Sequence, residues 1–159
     1  MDASELEENF VKIIFLTMRL LLALLQRLLY VLTAGQLPPF VSVAVVVKEQ
    51  DKFLMIIRRD GKGYGLPGGH INLNETAEHA AEREVKEETG LQLKITGILG
   101  TLSGKRPGTW VRTVDIVYEG RVGGGALRDS REGRCVWVRL DEVRERVAFD
   151  YLKILEALV

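Results

Sequence analysis

Glu84, Glu87 and Glu88 stand at i, i+3 and i+4, so a helix through this stretch carries all three carboxylates on one face. Like charges at that spacing repel by about 0.2–0.5 kcal/mol per pair. A hard divalent cation reverses the penalty, and magnesium in particular takes oxygen ligands, keeps several waters and shares its shell with substrate phosphates. The plainer alternative is a solvated acidic face. Arg83 adjoins the cluster, where a guanidinium can orient carboxylates through charge-assisted hydrogen bonds. Glu75 is its expected partner, and for both a structural role outweighs direct chemistry. Arg58 and Arg59 end an apolar run, where one could grip a phosphate while the other faces solvent. Tyr64 and Trp110 are aromatics able to stack on a base or sugar, or to sit in the core or rim. Glu132 is a further candidate acid–base carboxylate, with a solvated loop charge as its alternative. His70 is expected only to line the loop it sits in, and His79 to be exposed.

From Gly69 the chain runs five residues to Glu75, seven more to Arg83, and on through Glu84, Val85, Lys86, Glu87, Glu88 and Thr89 to Gly90 and Leu91. This spacing resembles a complete Nudix box, G-x5-E-x7-R-E-U-x-E-E-x-G-U with U apolar. The resemblance implies an α/β Nudix fold, a mixed β-sheet sandwiched between helices. It also implies hydrolysis of a nucleoside diphosphate linked to another moiety, by water activated on Mg2+ or Mn2+. Glu84, Glu87 and Glu88 match the family's metal ligands. Gly69 supplies permissive torsions, and its carbonyl could complete the metal shell; a plain turn glycine is the alternative. The general base varies within the family, leaving Glu87, Glu88 and Glu132 as candidates. Pro107, sixteen residues past Leu91, stands close to where ADP-ribose hydrolases of the family often carry proline. The motifs associated with NADH pyrophosphatases and coenzyme A hydrolases are lacking. ADP-ribose-like sugar nucleotides and nucleoside triphosphates are thus the leading substrates. A non-catalytic nucleotide-binding or regulatory module is the rival; such modules usually show a damaged box, and here Arg83 and the three Glu are intact.

Positioning these residues requires a helix over 76–89, capped by Asn74 or Thr76 and ended by Gly90, with Ala77, Ala80, Ala81 and Val85 on its packed face. The runs 41–47 and 52–59 read as a strand hairpin around Glu49, Gln50 and Asp51. A short strand enters the glycine-rich loop at Tyr64. Further strands are expected over 91–102, 111–122 and 134–140, and a closing helix over about 141–158 with Leu152, Leu155 and Leu158 toward the sheet.

The segment 10–32 is dominated by Leu, Ile, Val and Phe without Gly or Pro, and predicts one long helix. Glu5, Lys12, Arg19, Gln26 and Thr33 recur every seven residues as a narrow polar stripe. Such a helix needs a cover: a membrane, a second copy of the chain, or the rest of the domain. The acidic extreme N-terminus argues against a secretory signal. Gly35, Pro38 and Pro39 end the helix, dividing the chain into a hydrophobic helical extension and linker, 1–38, and a working domain, 39–159. With 159 residues there is room for one ordinary domain. Lys plus Arg and Asp plus Glu balance at 22 each, which argues against duplex nucleic acid as a partner. The lone Cys135 excludes an internal disulfide and reads as a small buried hydrophobe; a cytoplasmic setting, with membrane association through the helix as an option, is the expectation.

Overall fold

The computed structural model describes residues 3–35, 39–105 and 112–159, and within these the side chains other than those of residues 3–15, Arg19 and Lys105. Its contacts divide the chain into two units. The first contains helix α1, Ala3–Leu32, longer at its start than the apolar run predicts. Leu21, Leu24 and Leu32 of this helix are exposed. Among the described residues no helix is long and apolar enough to cross a membrane, so the bilayer reading of residues 10–32 finds no support there.

The second unit, residues 40–104 and 112–159, is built on six strands and one principal helix. Strands β1 (Phe40–Glu49), β2 (Lys52–Arg58), β3 (Tyr64–Gly65), β4 (Leu91–Lys105), β5 (Arg112–Gly125) and β6 (Gly133–Arg139) form a sheet in the order β3-β2-β1-β5-β4, with β6 paired to β2. The sheet is mixed: β1 runs parallel to β5 and antiparallel to β2, and β2 runs antiparallel to both β3 and β6. β1 and β2 share only the register pairs next to their turn, Lys48 with Phe53 and Glu49 with Lys52; beyond these, β2 gives its length to β6. The free edge of β1 is taken instead by the glycine-rich loop. Val45 N donates to Pro67 O at 2.9 Å, Val43 N to Gly69 O at 2.8 Å, and Ile71 N to Val41 O at 3.4 Å.

The strand period of two divides the interior. Val43, Val45 and Val47 of β1 face Ala80, Ala81 and Val85 of helix α2, Ala77–Thr89, while Ala44 and Val46 face the opposite way onto Met55, Val117 and Leu155. Small alanines on α2 let its axis come close to β1, which sets the helix above the loop. The expected caps form: Thr76 Oγ1 accepts from His79 N at 3.2 Å, and Gly90 closes the helix at φ 77°.

The single closing helix predicted over 141–158 does not form. A short helix α3 (Leu140–Val143) and a 3-10 turn (Arg144–Arg146) come first, then an irregular stretch with Phe149 at φ 58°, then helix α4 (Leu152–Leu155) and a second 3-10 turn. Tertiary pairing overrides helix propensity here: Ala148 N donates to Tyr64 O at 2.7 Å, and Val147 bridges Tyr64 alongside β3. The break still buries Val143, Ala148, Tyr151 and Leu155, and leaves Leu152 and Leu158 half-buried against the same core.

Candidate active site

Packing sorts Glu84, Glu87 and Glu88 of α2 by depth. Glu88 shares the buried face with Ala81 and Val85 and is 7% exposed; the Glu84 side chain is 16% exposed, and that of Glu87 61%. All three line one cavity of about 680 Å³. Its other wall is the loop from Arg128 to Glu132, completed by Arg59 at the end of β2.

The glycine-rich loop is fitted under this face. The Glu84 carboxylate lies so close over Gly69 that a Cβ there would stand 2.5 Å from its Cδ and Oε1. Gly68 N donates to Glu88 Oε2 at 2.8 Å. Arg83 ties the loop to the helix: Nε donates to Glu75 Oε2 at 2.9 Å, Nη2 to Glu75 Oε1 at 2.6 Å and to His70 O at 3.0 Å. Its Nη1 donates to Glu84 Oε1 at 2.9 Å and to Glu87 Oε2 at 3.4 Å. Arg83, with Asn72 N–H, holds the Glu75 carboxyl well below its ordinary range, at about 2. Arg83 is thereby bonded to Glu75, Glu84 and Glu87 together.

Burial pushes the Glu88 carboxyl up to about 8; the Gly68 N–H opposes this, while the charges of Glu132 and Glu84 reinforce it. A buried carboxylate crowded by two others is an environment that a cation relieves. As they stand, no three His, Cys, Asp or Glu side chains among the described residues are close enough to hold a metal ion. The donor set nevertheless fits a hard divalent cation. Glu84, Glu87 and Glu88 each give only one oxygen to the bonds above, their second oxygens lie outside those bonds, and the cavity they line has room for an ion. The Gly69 backbone is not among those with positive φ, and its carbonyl accepts from Val43 N. What the position requires is the absence of a side chain under Glu84.

The remaining candidates separate. Glu132 and Arg59 line the cavity, linked by Arg59 N donating to Glu132 O at 3.1 Å. Arg58 does not: its guanidinium is held by Asp60, at 3.0 and 2.8 Å, and lies 5.1 Å over the Phe149 ring. Tyr64 does not line the cavity either, because its ring packs on the core and carries the Arg146 guanidinium at 5.1 Å. Trp110 and Pro107 lie outside the described residues. His70 is exposed, edge-on to Phe40, and His79 is exposed. Cys135 is buried, its Sγ donating to Glu88 O at 3.3 Å, with burial raising the thiol to about 11.

Sequence reasoning missed Arg128, Asp129, Ser130 and Arg131 in the cavity wall. The only signal was the density of charge from Arg128 to Arg134, which is indistinguishable from a solvated loop until its anchors are seen. Those anchors are Arg128 N to Thr89 O at 2.8 Å, Ser130 N to Gly133 O at 3.0 Å, Cys135 N to Asp129 Oδ1 at 3.1 Å and Glu132 N to Ser130 Oγ at 3.2 Å.

Comparison with known proteins agrees with this geometry. The model of the NUDIX domain matches residues 38–158. A MutT-like protein of Streptomyces ambofaciens is 38% identical over 126 residues, covering 76% of this chain and 79% of that protein. An ADP-ribose pyrophosphatase of Methanocaldococcus jannaschii is 35% identical over 126 residues, covering 76% and 73%. The crystal structure of a MutT NUDIX hydrolase from Burkholderia pseudomallei superposes with a TM-score of 0.70 at 24% identity, covering 77% of this chain and all of that one, a likeness of fold. With its mixed sheet flanked by helices and a family match across most of its length, the chain belongs to the NUDIX family.

Proposed function

We propose that this chain, a Nudix pyrophosphohydrolase acting on phosphoric anhydride bonds, cleaves the pyrophosphate of a nucleoside diphosphate linked to another moiety, and that it does so with Mg2+ or Mn2+. The observation that carries this reading is the gathering of Glu84, Glu87, Glu88 and Glu132 around one cavity whose rim also holds Arg59, Arg128 and Arg131. Carboxylates to hold a cation and guanidinium groups to hold phosphate are the two needs of phosphoryl chemistry, where positioning and electrostatics dominate.

Glu84, Glu87 and Glu88 would hold the cation. When bound, the ion lowers the pKa of a coordinated water and neutralises charge on the phosphoryl oxygens. Glu132 reaches the same cavity from a separate loop, and its charge is felt at Glu88; in this reading it takes the proton from the attacking water. Arg83 and Glu75 keep the carboxylates and the glycine-rich loop in register. Arg59 faces the substrate's phosphates in place of Arg58.

The relative named as an ADP-ribose pyrophosphatase supports a sugar nucleotide as substrate, and nucleoside triphosphates are the second class of compound with the same reacting bond. Residues 39–159 are the catalytic domain in this reading, and 1–38 a helical extension to it. The test is a panel of nucleotides, including ADP-ribose and the nucleoside triphosphates, assayed with Mg2+, with Mn2+ and with chelator. Turnover of at least one compound, abolished by chelator and restored by Mg2+, is expected. Turnover that persists in chelator refutes the metal-dependent mechanism, and tight nucleotide binding without turnover favours the non-catalytic module.

A further inference from the structure

A second cavity, of about 520 Å³, lies beside the first, lined by His79, Lys86 and Gln92 among others; Glu87 and Arg128 line both. Arg128 is therefore the one cationic side chain, among the described residues, common to the two. Its place is built rather than incidental. Its backbone N–H is bonded to Thr89 O at the last residue of α2, and its aliphatic stem lies over Gly90, where a Cβ would come 2.8 Å from Arg128 Cγ. Gly90 thus closes the helix and also makes the bed on which Arg128 lies. Among the described residues no carboxylate is within ion-pair distance of this guanidinium, in contrast to Arg58 and Arg83, which are both committed to the protein. An exposed arginine with a fixed stem and an uncommitted fork presents a bidentate site for an anion. Among the described residues neither lining contains Phe, Tyr or Trp, His79 in the second cavity being the one aromatic ring, and both linings are dominated by charged groups.

We propose that Arg128 is a substrate-binding residue that grips a phosphate of the pyrophosphate group at the ridge between the two cavities. It would hold the phosphoryl group that is not attacked while the carboxylates of α2 serve the one that is. The inference rests on the hydrolase reading above and adds to it the residue that fixes which way the diphosphate lies. A charge-assisted hydrogen-bonding contact of this kind is worth about tenfold to a hundredfold in binding.

The experiment compares wild type, Arg128→Ala, Arg128→Lys and, as a charge control, Lys153→Ala, whose side chain is exposed and paired with Asp150 outside both cavities. Steady-state kinetics are measured on the best substrate of the panel, together with calorimetric binding of inorganic pyrophosphate in the presence of Mg2+. Expected is a KM raised about tenfold or more in Arg128→Ala with a smaller change in kcat, a weakened pyrophosphate affinity in parallel, partial recovery in Arg128→Lys, and no change in Lys153→Ala. Circular dichroism and the melting temperature verify that the variants fold. An active wild type whose KM and pyrophosphate affinity are both unmoved by Arg128→Ala overturns the assignment and leaves the hydrolase reading standing. A wild type inert on every nucleotide overturns the hydrolase reading, and pyrophosphate binding then decides Arg128 by itself: equal affinity in wild type and Arg128→Ala refutes it.

Discussion

Gly69→Ala isolates the contribution of carboxylate placement from that of carboxylate chemistry. The added Cβ would stand 2.5 Å from Glu84 Cδ and Oε1 and 2.7 Å from Oε2, against an ordinary contact of 3.4 Å or more. The carboxylate must therefore withdraw by about 0.9 Å, the difference between the two distances. The atoms in the way are the far end of a flexible side chain, and the Gly69 backbone is not in the positive-φ region, so the fold can absorb the change. Such a glycine-to-alanine change also lowers the entropy of the unfolded chain, a gain of about 0.4–1 kcal/mol that offsets local crowding. Global stability should accordingly stay within about 1 kcal/mol of wild type. Activity should not, because a misplacement of about 1 Å in a catalytic site costs on the order of a hundredfold. The assay is kcat/KM with Mg2+ on the best nucleotide, Mn2+ affinity by electron paramagnetic resonance, and thermal melting, with Gly97→Ala as control because nothing lies within 4 Å of a Cβ there. A Gly69→Ala enzyme with wild-type kcat/KM and wild-type Mn2+ affinity would refute the idea that Glu84 must rest on this glycine to work.

Glu87→Gln keeps the shape and the helix propensity of an exposed residue while removing its charge, so turnover should fall by about two orders of magnitude with the melting temperature unchanged; full activity removes Glu87 from the mechanism. Glu75 has its carboxyl lowered to about 2 by Arg83 and Asn72 N–H, so the stability it contributes is fully present above its unfolded pKa of about 4.3 and is lost as pH falls toward 2. Denaturation of wild type and Glu75→Gln should differ most above pH 5 and converge on acidification, whereas a pH-independent gap would show that the ion pair with Arg83 is not its source. Cys135, at 7% exposure, should resist iodoacetamide in the native protein and react once the chain is unfolded in urea; rapid labelling of the native form would contradict its burial on β6 against α2.

How much of this was legible before the structure depends on how locally each feature is determined. Helix α2 was readable to within a residue, because its cap at Thr76, its alanines and its closing Gly90 all act over one or two turns. The convergence of Glu84, Glu87 and Glu88 follows from the same local period. Strands β1 and β2 were readable because their continuous apolar runs are buried on both faces of the sheet. The C-terminal segment was misread because its helical periodicity is local, whereas the bond from Ala148 N to Tyr64 O joins residues far apart in the chain. Which of Arg58 and Arg59 lines the cavity could not be read from position, because Asp60 and Phe149 hold the Arg58 guanidinium elsewhere. The loop bearing Arg128 and Arg131 was invisible for a related reason: its bond from Arg128 N to Thr89 O exists only once the loop meets α2, while its bonds to Gly133 and Cys135 tie it to the strand that follows.

That dependence bears on how the site is assembled. α2 reaches β6 through Cys135 Sγ on Glu88 O, reaches the loop through Thr89 O, and reaches the glycine-rich segment through Glu88 and Arg83. Each bond fixes a different wall of the cavity, and they converge within the last two turns of the helix, Arg83 to Thr89. A single rigid element thus sets the distances between the carboxylates, the loop arginines and the glycine backbone, so little reorganisation is left for the moment of reaction. Electrostatic catalysis depends on such fixed dipoles and charges. The graded burial of the three carboxylates follows from the same arrangement: the helix is pinned along the Glu88 edge, Glu84 rests on Gly69, and Glu87 stands toward solvent.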